Sequence, residues 1–566
     1  LYAKLHKIRN VMLSFFALIL LIVLPTMASA EELESHLDDA LNVRSDKVWT
    51  ITFNKPIDPA SANSDSIYVL NSSGEKKNGA ITVSSNRKSV LVAPPLQGYT
   101  NAETYTLHMT RDIKDEKGES LSSYTYKKFT IGSSASGTYD IVSILSNGTT
   151  NLVKSYAKFE EAVTNLKADQ AIQYNGAFIK IPSGLVVTKG TASSVLTNIY
   201  SDKQLTKAVT YVPANTELLY IDSTDTYVEV NVADKNLYIK HENSNLLPWN
   251  AVKGRSYYSV SNGQLVHSIY SPNTGSYASY QVGNAPNFMS SGQTYFSVDG
   301  AHFTNATGQE VGTSYPYFQY LSARSKTNYS AAEIDAYIMS MLQKLESDYP
   351  SIPMYQQAAQ KSKLIGLGSY LKQVEATYHI NALHILALAQ HESAYGLSDR
   401  AQQYNNLFGL YVTDNNPLAK NFITVEQNIN ELINAFLNKN YLPPNAGYAN
   451  GSVFGNKAIG LNVRYASDPY WGAKAAGHMY RIDQTMGGKD SATPYKIGIT
   501  TTSGLNVRTG PGTNYAVAYK YSNAGMPVTI LDDNLPASDW IKVISDSTSY
   551  DEVYIHRSYV QMLPVK

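Results

Sequence analysis

The sequence predicts a multidomain chain in which β-modules flank one helical domain. Three observations predict it. The length of 566 residues is enough for about three to five domains, and 43% hydrophobic against 16% charged residues marks a chain that folds. Residues 40 to 325 and 497 to 566 carry short alternating apolar runs between turn-rich stretches, the period-two signature of strands. From about 330 to 488 the period changes, and apolar residues recur at helical spacing.

Residues 1–30 read as an export signal peptide. Lys4, Lys7 and Arg9 form a basic start, "VMLSFFALILLIVL" an apolar core short for a spanning helix, and "ASA" at 28–30 a small-residue cleavage site. Without those thirty residues 43 basic groups face 46 acidic ones, a balance of −3. No strongly basic face follows, which argues against a nucleic-acid partner. There are no cysteines, so disulfides and thiolate metal sites are excluded. An exported chain without cysteine suits a Gram-positive exterior. Tyrosine is abundant at 44 residues, as half-exposed strands and sugar-stacking surfaces both favour.

Residues 40–133 predict a β-sandwich. "VWTITFNKPID" sends Trp49, Ile51 and Phe53 to one side, and "YTLHMT" and "KFTIG" give later strands between turn-rich segments. The pattern resembles the Ig-like modules of bacterial S-layer and surface proteins. "GSSASG" at 132–137 marks a boundary, and residues 138–183 follow as a small α/β unit with "SYAKFEEAVTNLKAD" as its helix. Next comes an internal repeat: "LYIKHENSNLLP" at 237–248 aligns without a gap to "VYIHRSYVQMLP" at 553–564. One small β-module is therefore used twice, at 184–250 and 497–566. The later copy opens with "GLNVRTGPGTNY" and closely resembles bacterial SH3-type domains, small barrels that bind cell-wall peptide; the earlier copy lacks the Gly-Pro-Gly turn. Residues 251–325 read as a β-rich connector.

The helical domain, 326–490, opens at Ser330 with Glu333 three residues on, a capping-box pattern. Further helices are read in "KLIGLGSYLKQVEATYH", "NALHILALAQHES", "TVEQNINELINAFLNKNY" and "DPYWGAKAAGHMYRIDQ". In "ILALAQHESAYGLS" (385–398), Ile385, Leu388, Ala389 and Glu392 share one face, the buried one. A carboxylate placed there, in the last turn of a helix that Gly396 ends, is disfavoured by desolvation and by the helix dipole. Such a group tends to keep its proton, as a general acid must. The competing structural reading is a glutamate paired with Arg400 or Arg464.

Glu392 with "SAYGLS", then "NNLFGLY" at 405–411, then "RYASDPYW" at 464–471 form an ordered trio. The trio looks like the glucosaminidase domain of glycoside hydrolase family 73, bacterial autolysins that cut the glycan of peptidoglycan on a lysozyme-like α (α+β) fold. The resemblance covers about 160 residues. It implies a secreted, wall-associated endo-β-N-acetylglucosaminidase with Glu392 as proton donor, Tyr465 lining the cleft beside it, and no cofactor. It also implies glycan strands and wall peptides as partners, with no stable membrane insertion, and the chain is read as a monomer. The substrate-binding candidates are Asn405, Asn406, Phe408, Gly409, Tyr411, Asp468, Tyr470 and Trp471, the aromatics for stacking on sugar rings. Asp468 precedes Pro469 and also fits a cap on the next helix.

An inverting glycosidase needs a second carboxylate about 6.5–9.5 Å from the first. Asp414 is the best placed by sequence; Glu426 and Glu431 read as helix surface charges. Alternatively the substrate's own N-acetyl group attacks the anomeric carbon and Tyr465 steadies the charge. A lytic transglycosylase on a similar fold and a non-catalytic wall-binding protein are the rival readings. "HESAY" begins like a zinc helix, but Tyr395 stands where the second histidine is required, so no metal is expected. His384, His391 and His478 read as structural, with His391 facing solvent.

Overall fold

The computed structural model describes residues 34–43, 45, 47–77, 79–84, 87–95, 98–132, 137–191, 194–272, 274–412, 420–536 and 539–566. The expected signal peptide lies outside them. No described helix is long and apolar enough to cross a membrane.

The N-terminal unit is two facing sheets. One orders its strands Glu34–Val43, Tyr124–Ile131, Thr104–Met109, Ile67–Asn71, and the other Trp49–Thr52, Ser89–Val92, Ile81–Val83. Trp49, Ile67, Val69, Val90 and Phe129 fill the space between, and Ile51 and Phe53 pack on that core as their alternation requires. The first strand starts at Glu34, ahead of the expected boundary, and pairs in parallel with Tyr124–Ile131.

The small unit after it is more β than expected. Helix α1 spans only Phe159–Asn165, and "TNLVKSY" before it is a strand of a four-stranded sheet. The two copies of the repeat then fold alike. Each is a seven-stranded sheet with one strand order, the fourth-from-start pairing onto the next in the same sequence of hairpins. The aligned repeat segments both run strand, one 3-10 turn, strand: Lys235–Lys240 to Ser244–Pro248 in the first, Glu552–His556 to Val560–Met562 in the second. The connector is a three-stranded meander ending in Ser276–Asn284, followed by a short hairpin.

The helical body contains α2 (Ala331–Asp348), α3 (Gly368–Tyr378), α4 (Ala382–Ser393), α5 (Asp399–Tyr404), α6 (Val425–Glu431) and α7 (Trp471–Thr485). Ser330 and Glu333 form the predicted capping box on α2. α6 runs on as a π-helical stretch, Leu432–Tyr441. α4 is the central element: it is buried on every side from Ala382 to His391 rather than on one face. His391 is therefore inside, not in solvent, and burial pushes its imidazole well below the usual histidine range. The same cause acts on His478, and takes His384, stacked on Phe454, down to about 3. All three are neutral packing residues.

The β-modules close on this body. Thr210 Oγ1 and Tyr211 Oη of the first repeat donate to the Val463 and Arg464 carbonyls at 2.7 and 3.0 Å, and Arg464 Nη2 returns a bond to the Ala208 carbonyl at 2.7 Å. Tyr480 of α7 donates to Asn284 Oδ1 of the connector at 2.7 Å. From the last module, Thr529 Oγ1 accepts from Ser322 N at 3.1 Å and the Asp546 carbonyl accepts from Arg324 Nε at 3.2 Å.

Candidate active site

Glu392 is the penultimate residue of α4. Asn381 starts the helix, its Oδ1 accepting from the Leu383 and His384 amides at 2.8 and 3.3 Å. The stop is sharper than the sequence suggested. Ala394, not Gly396, takes the left-handed cap at φ 50°, and Tyr395 and Gly396 follow at 62° and 74°. Three left-handed residues in succession throw the chain off the axis right after the acid. Two of them carry side chains, a strained arrangement that the surroundings must enforce. They do: Ser393 Oγ accepts from Gly396 N at 2.7 Å, Ser362 Oγ donates to the Tyr395 carbonyl at 2.7 Å, and Gln402 Nε2 donates to the Gly396 carbonyl at 2.6 Å. Gly396 must be glycine, since a Cβ there would stand 2.9 Å from Ser362 Oγ in a left-handed backbone.

α7 supplies the partner of the acid. Trp471 Nε1 donates to Glu392 Oε1 at 2.7 Å. The approach needs Gly472, whose added Cβ would fall 2.2 Å from the Gly455 carbonyl oxygen. Trp471 is only 3% exposed, so its ring has no open face for a sugar and serves the acid instead. Tyr465 stacks on it, ring centres 4.6 Å apart at 27°. Burial, and then the charge of Glu392, push the Tyr465 phenol well above its ordinary value, so it stays protonated. Tyr441 lies 5.4 Å from Tyr465, and Tyr448, 48% exposed, lies 5.4 Å from Tyr441. An aromatic run therefore leads from the acid to the surface. Tyr441 and Tyr448 carried no signal in the sequence beyond being two of many tyrosines.

An indole N–H only donates. Oε1 is thus the accepting oxygen. Arg464, the candidate ion-pair partner of Glu392, sends Nη2 to Ala208.

The other predicted residues divide. Asp414 lies outside the described residues. Asn405 caps α5 in the left-handed region and donates to the Phe422 and Ile423 carbonyls at 2.9 and 3.1 Å. Asn406 is buried, its amide exchanging two bonds with Leu410 at 3.0 Å and accepting from Asn428 at 3.2 Å. Phe408 is core and Gly409 turns left-handed at φ 62°. This string holds a loop together with groups expected to face substrate. Tyr411 is 44% exposed, donates to Glu431 Oε1, and has Lys420 Nζ 4.2 Å from its ring centre. Glu431 is a surface charge with partners: Tyr411 and Lys420 hold its carboxyl below the usual range. Asp468 Oδ1 accepts from Tyr470 N at 2.9 Å, two residues on, while Oδ2 pairs with Lys474 at 2.5 Å. It shapes the turn before α7 rather than standing at the cap. Burial opposes its charge, but Lys474 and the Tyr470 amide outweigh this and set it at about 2. Tyr470 packs edge-on against His267 of the connector, 4.6 Å away.

Beside the strained end of α4, Gln390, His391 and Tyr395 line a pocket of about 510 Å³ with α2, α7 and the connector; Glu392 is not in its wall. Among the described residues one group could hold a cation, Asp234, Asp299 and His302, between the first repeat and the connector. There His302 Nδ1 already bonds Asp299 Oδ2 at 2.7 Å, and none of the three borders Glu392 or Trp471 in the contacts above.

Residues 368–484 match the model of the Glucosaminidase family, described as mannosyl-glycoprotein endo-beta-N-acetylglucosaminidase. Residues 36–131 match the bacterial Ig-like domain. Two Streptococcus pneumoniae proteins named "Putative endo-beta-N-acetylglucosaminidase" are each 33% identical over 271 residues, 47% of this chain and 36% or 34% of theirs. The chain thus spans about a third of the length of these curated relatives. A solved structure of Staphylococcus aureus Autolysin E, a catalytic mutant in complex with the disaccharide NAG-NAM, is 18% identical and covers 33% of this chain and 82% of its own, at a TM-score of 0.23, which carries no argument here. The chain carries a glucosaminidase domain of the glycoside hydrolases, 368–484, and a bacterial Ig-like domain, 36–131.

Proposed function

We propose that the protein is a secreted, wall-associated peptidoglycan hydrolase that cleaves the β-1,4 bond after N-acetylglucosamine, with Glu392 as general acid. The observation that carries the proposal is the Trp471–Glu392 bond at the strained end of a helix buried from Ala382 to His391, inside the matched domain. Glu392 Oε2 gives its proton to the bridging oxygen, the bond from that oxygen to the anomeric carbon breaks, and water adds to the carbon. Acid catalysis of this kind contributes about 10²- to 10⁴-fold. The indole N–H stabilises the carboxylate as it forms, and the protonated Tyr465 beside it can donate to charge developing on the sugar. Asp414 takes the proton of the attacking water. The glycan strand leaves over Tyr448, whose exposed aromatic face suits sugar rings.

The two seven-stranded modules are proposed as SH3-type domains, and the later one, with its Gly-Pro-Gly turn, as the wall-peptide binder. With the Ig-like unit it keeps the enzyme at the polymer, where effective concentration rather than active-site affinity governs cutting. The docking of the earlier module on 463–464 supports a part in the catalytic unit rather than in tethering.

The test uses the full chain on purified peptidoglycan, wild type beside Glu392→Gln and Asp414→Asn. Release of soluble fragments by wild type and none by Glu392→Gln supports the reading, and equal release by both rejects it. Loss in Asp414→Asn assigns the water-activating base; full activity there assigns that role to the substrate's N-acetyl group, with Tyr465 as its partner.

A further inference from the structure

Among the described residues Lys457 is the one lysine buried in a core, at 3% exposure. Its Nζ donates to the Asn462 carbonyl at 3.0 Å and the Ala466 carbonyl at 2.6 Å, and lies 4.9 Å from the ring centre of Tyr211 in the first repeat. An ammonium has three donors, and two carbonyls and one π face accept them. The carboxylate that pulls on it, Asp468, is itself paired with Lys474. A buried charge without a partner carboxylate is costly, and a methionine would fill the same volume without that cost. The two carbonyls it holds flank Tyr465. Tyr465 stacks on Trp471, and Trp471 donates to Glu392.

We infer that Lys457 is a positioning residue for the acid: its ammonium pins the 462–466 loop, so that Tyr465, and through it Trp471, hold Glu392 in one orientation. The inference rests on the reading of Glu392 as the acid. It also explains why the earlier repeat docks where it does. Tyr211 covers the lysine from above, while its hydroxyl and Thr210 bind the next two carbonyls of the same loop. The clamp is sensitive to pH. The groups that face it are Arg464 in the loop, Asp468 with Lys474 before α7, Tyr211 from the repeat, and Lys235, whose Nζ donates to the Ala458 carbonyl at 3.2 Å; Glu217, Arg255, Tyr258, Asp299 and Tyr470 line the same cavity. Burial dominates and brings Lys457 down to about 7, so the pin loses its proton near neutrality.

The experiment compares the full-length wild type, Lys457→Met and Tyr211→Leu, each labelled with 5-fluorotryptophan. The chain has four tryptophans, and the Trp471 resonance is assigned by its loss in Trp471→Phe. The wild-type Trp471 signal should shift with a midpoint near 7. In Lys457→Met that titration should vanish, with kcat down roughly 10- to 100-fold as for a displaced catalytic group and KM nearly unchanged. In Tyr211→Leu, which leaves the lysine but removes its π face, the midpoint should fall. A Trp471 signal that titrates alike in wild type and Lys457→Met overturns the inference, even if activity drops, because the loss is then merely structural. Should Lys457→Met not fold, an unmoved midpoint in Tyr211→Leu overturns it equally. A wild type that cuts no peptidoglycan rejects the proposed function instead, and the fluorine titration still decides whether Lys457 sets the Trp471–Glu392 pair.

Discussion

Replacing Trp471 with phenylalanine isolates the indole N–H. The ring at this site stacks on Tyr465 at 4.6 Å and meets Phe454 edge-on at 6.2 Å, contacts that a phenyl ring largely keeps. What is lost is the 2.7 Å bond to Glu392 Oε1. That bond is worth about 1 kcal/mol to a neutral acid and about 1.5–3 kcal/mol to an anion. Only the difference, roughly 0.5–2 kcal/mol, acts on the transition state, which corresponds to a kcat reduced about 2- to 30-fold. Stability falls separately. The unfilled space of the indole's benzo ring and the lost hydrogen bond together amount to about 2–4 kcal/mol, seen as a lower unfolding temperature of the helical body. The assay is the initial rate of reducing-end release from purified peptidoglycan at saturating substrate, beside a thermal scan. A Trp471→Phe enzyme that unfolds earlier but keeps wild-type kcat would refute the idea that the indole supports the departing proton.

Other outcomes follow from the same geometry. Ala394 holds a left-handed cap at φ 50°, so Ala394→Gly should raise the unfolding midpoint by the equivalent of about 1 kcal/mol with activity retained; a lower midpoint would show that its methyl packing outweighs the strain. Asp546 lies buried at the joint with the last module, where burial raises its carboxyl to about 6. In the folded chain it keeps its proton to higher pH than in the unfolded one, so its contribution is full below about 4 and is lost as pH rises through about 6. Urea unfolding of wild type and Asp546→Asn at a series of pH values should show this decline in the first and not the second. Lys457 has the opposite sign. Its folded value of about 7 lies below that of free lysine, so the unfolded chain binds more protons between the two, and stability rises with pH across that window. Lys457→Met should flatten that rise.

Much of this was legible in the sequence, and the rest failed for identifiable reasons. The capping box at Ser330, the start of α4 at Asn381 and the place of Glu392 in its last turn are local signals, written in residues three or four apart. The repeat was legible because strand alternation and the shared Tyr, Ile, Leu and Pro survive in both copies. His391 was misplaced because α4 was read as one-sided, whereas helices and the connector cover it all round. Trp471 read as a sugar platform because nothing local says which of its faces Tyr465 and Phe454 cover. Asn405 and Asn406 read as substrate ligands, yet their amides tie loop backbone, a use that depends on Phe422 and Asn428 far along the chain. The docking of Thr210 and Tyr211 on residues 463 and 464 joins segments some 250 positions apart, beyond any periodicity.

The most direct measurement is digestion of purified peptidoglycan by the full chain in ¹⁸O-water, read by mass spectrometry. Hydrolysis with Glu392 as the acid predicts one ¹⁸O at each new reducing N-acetylglucosamine end, and no new ends from Glu392→Gln. Unlabelled anhydro-muramyl ends, or labelled ends made equally well by Glu392→Gln, would contradict it.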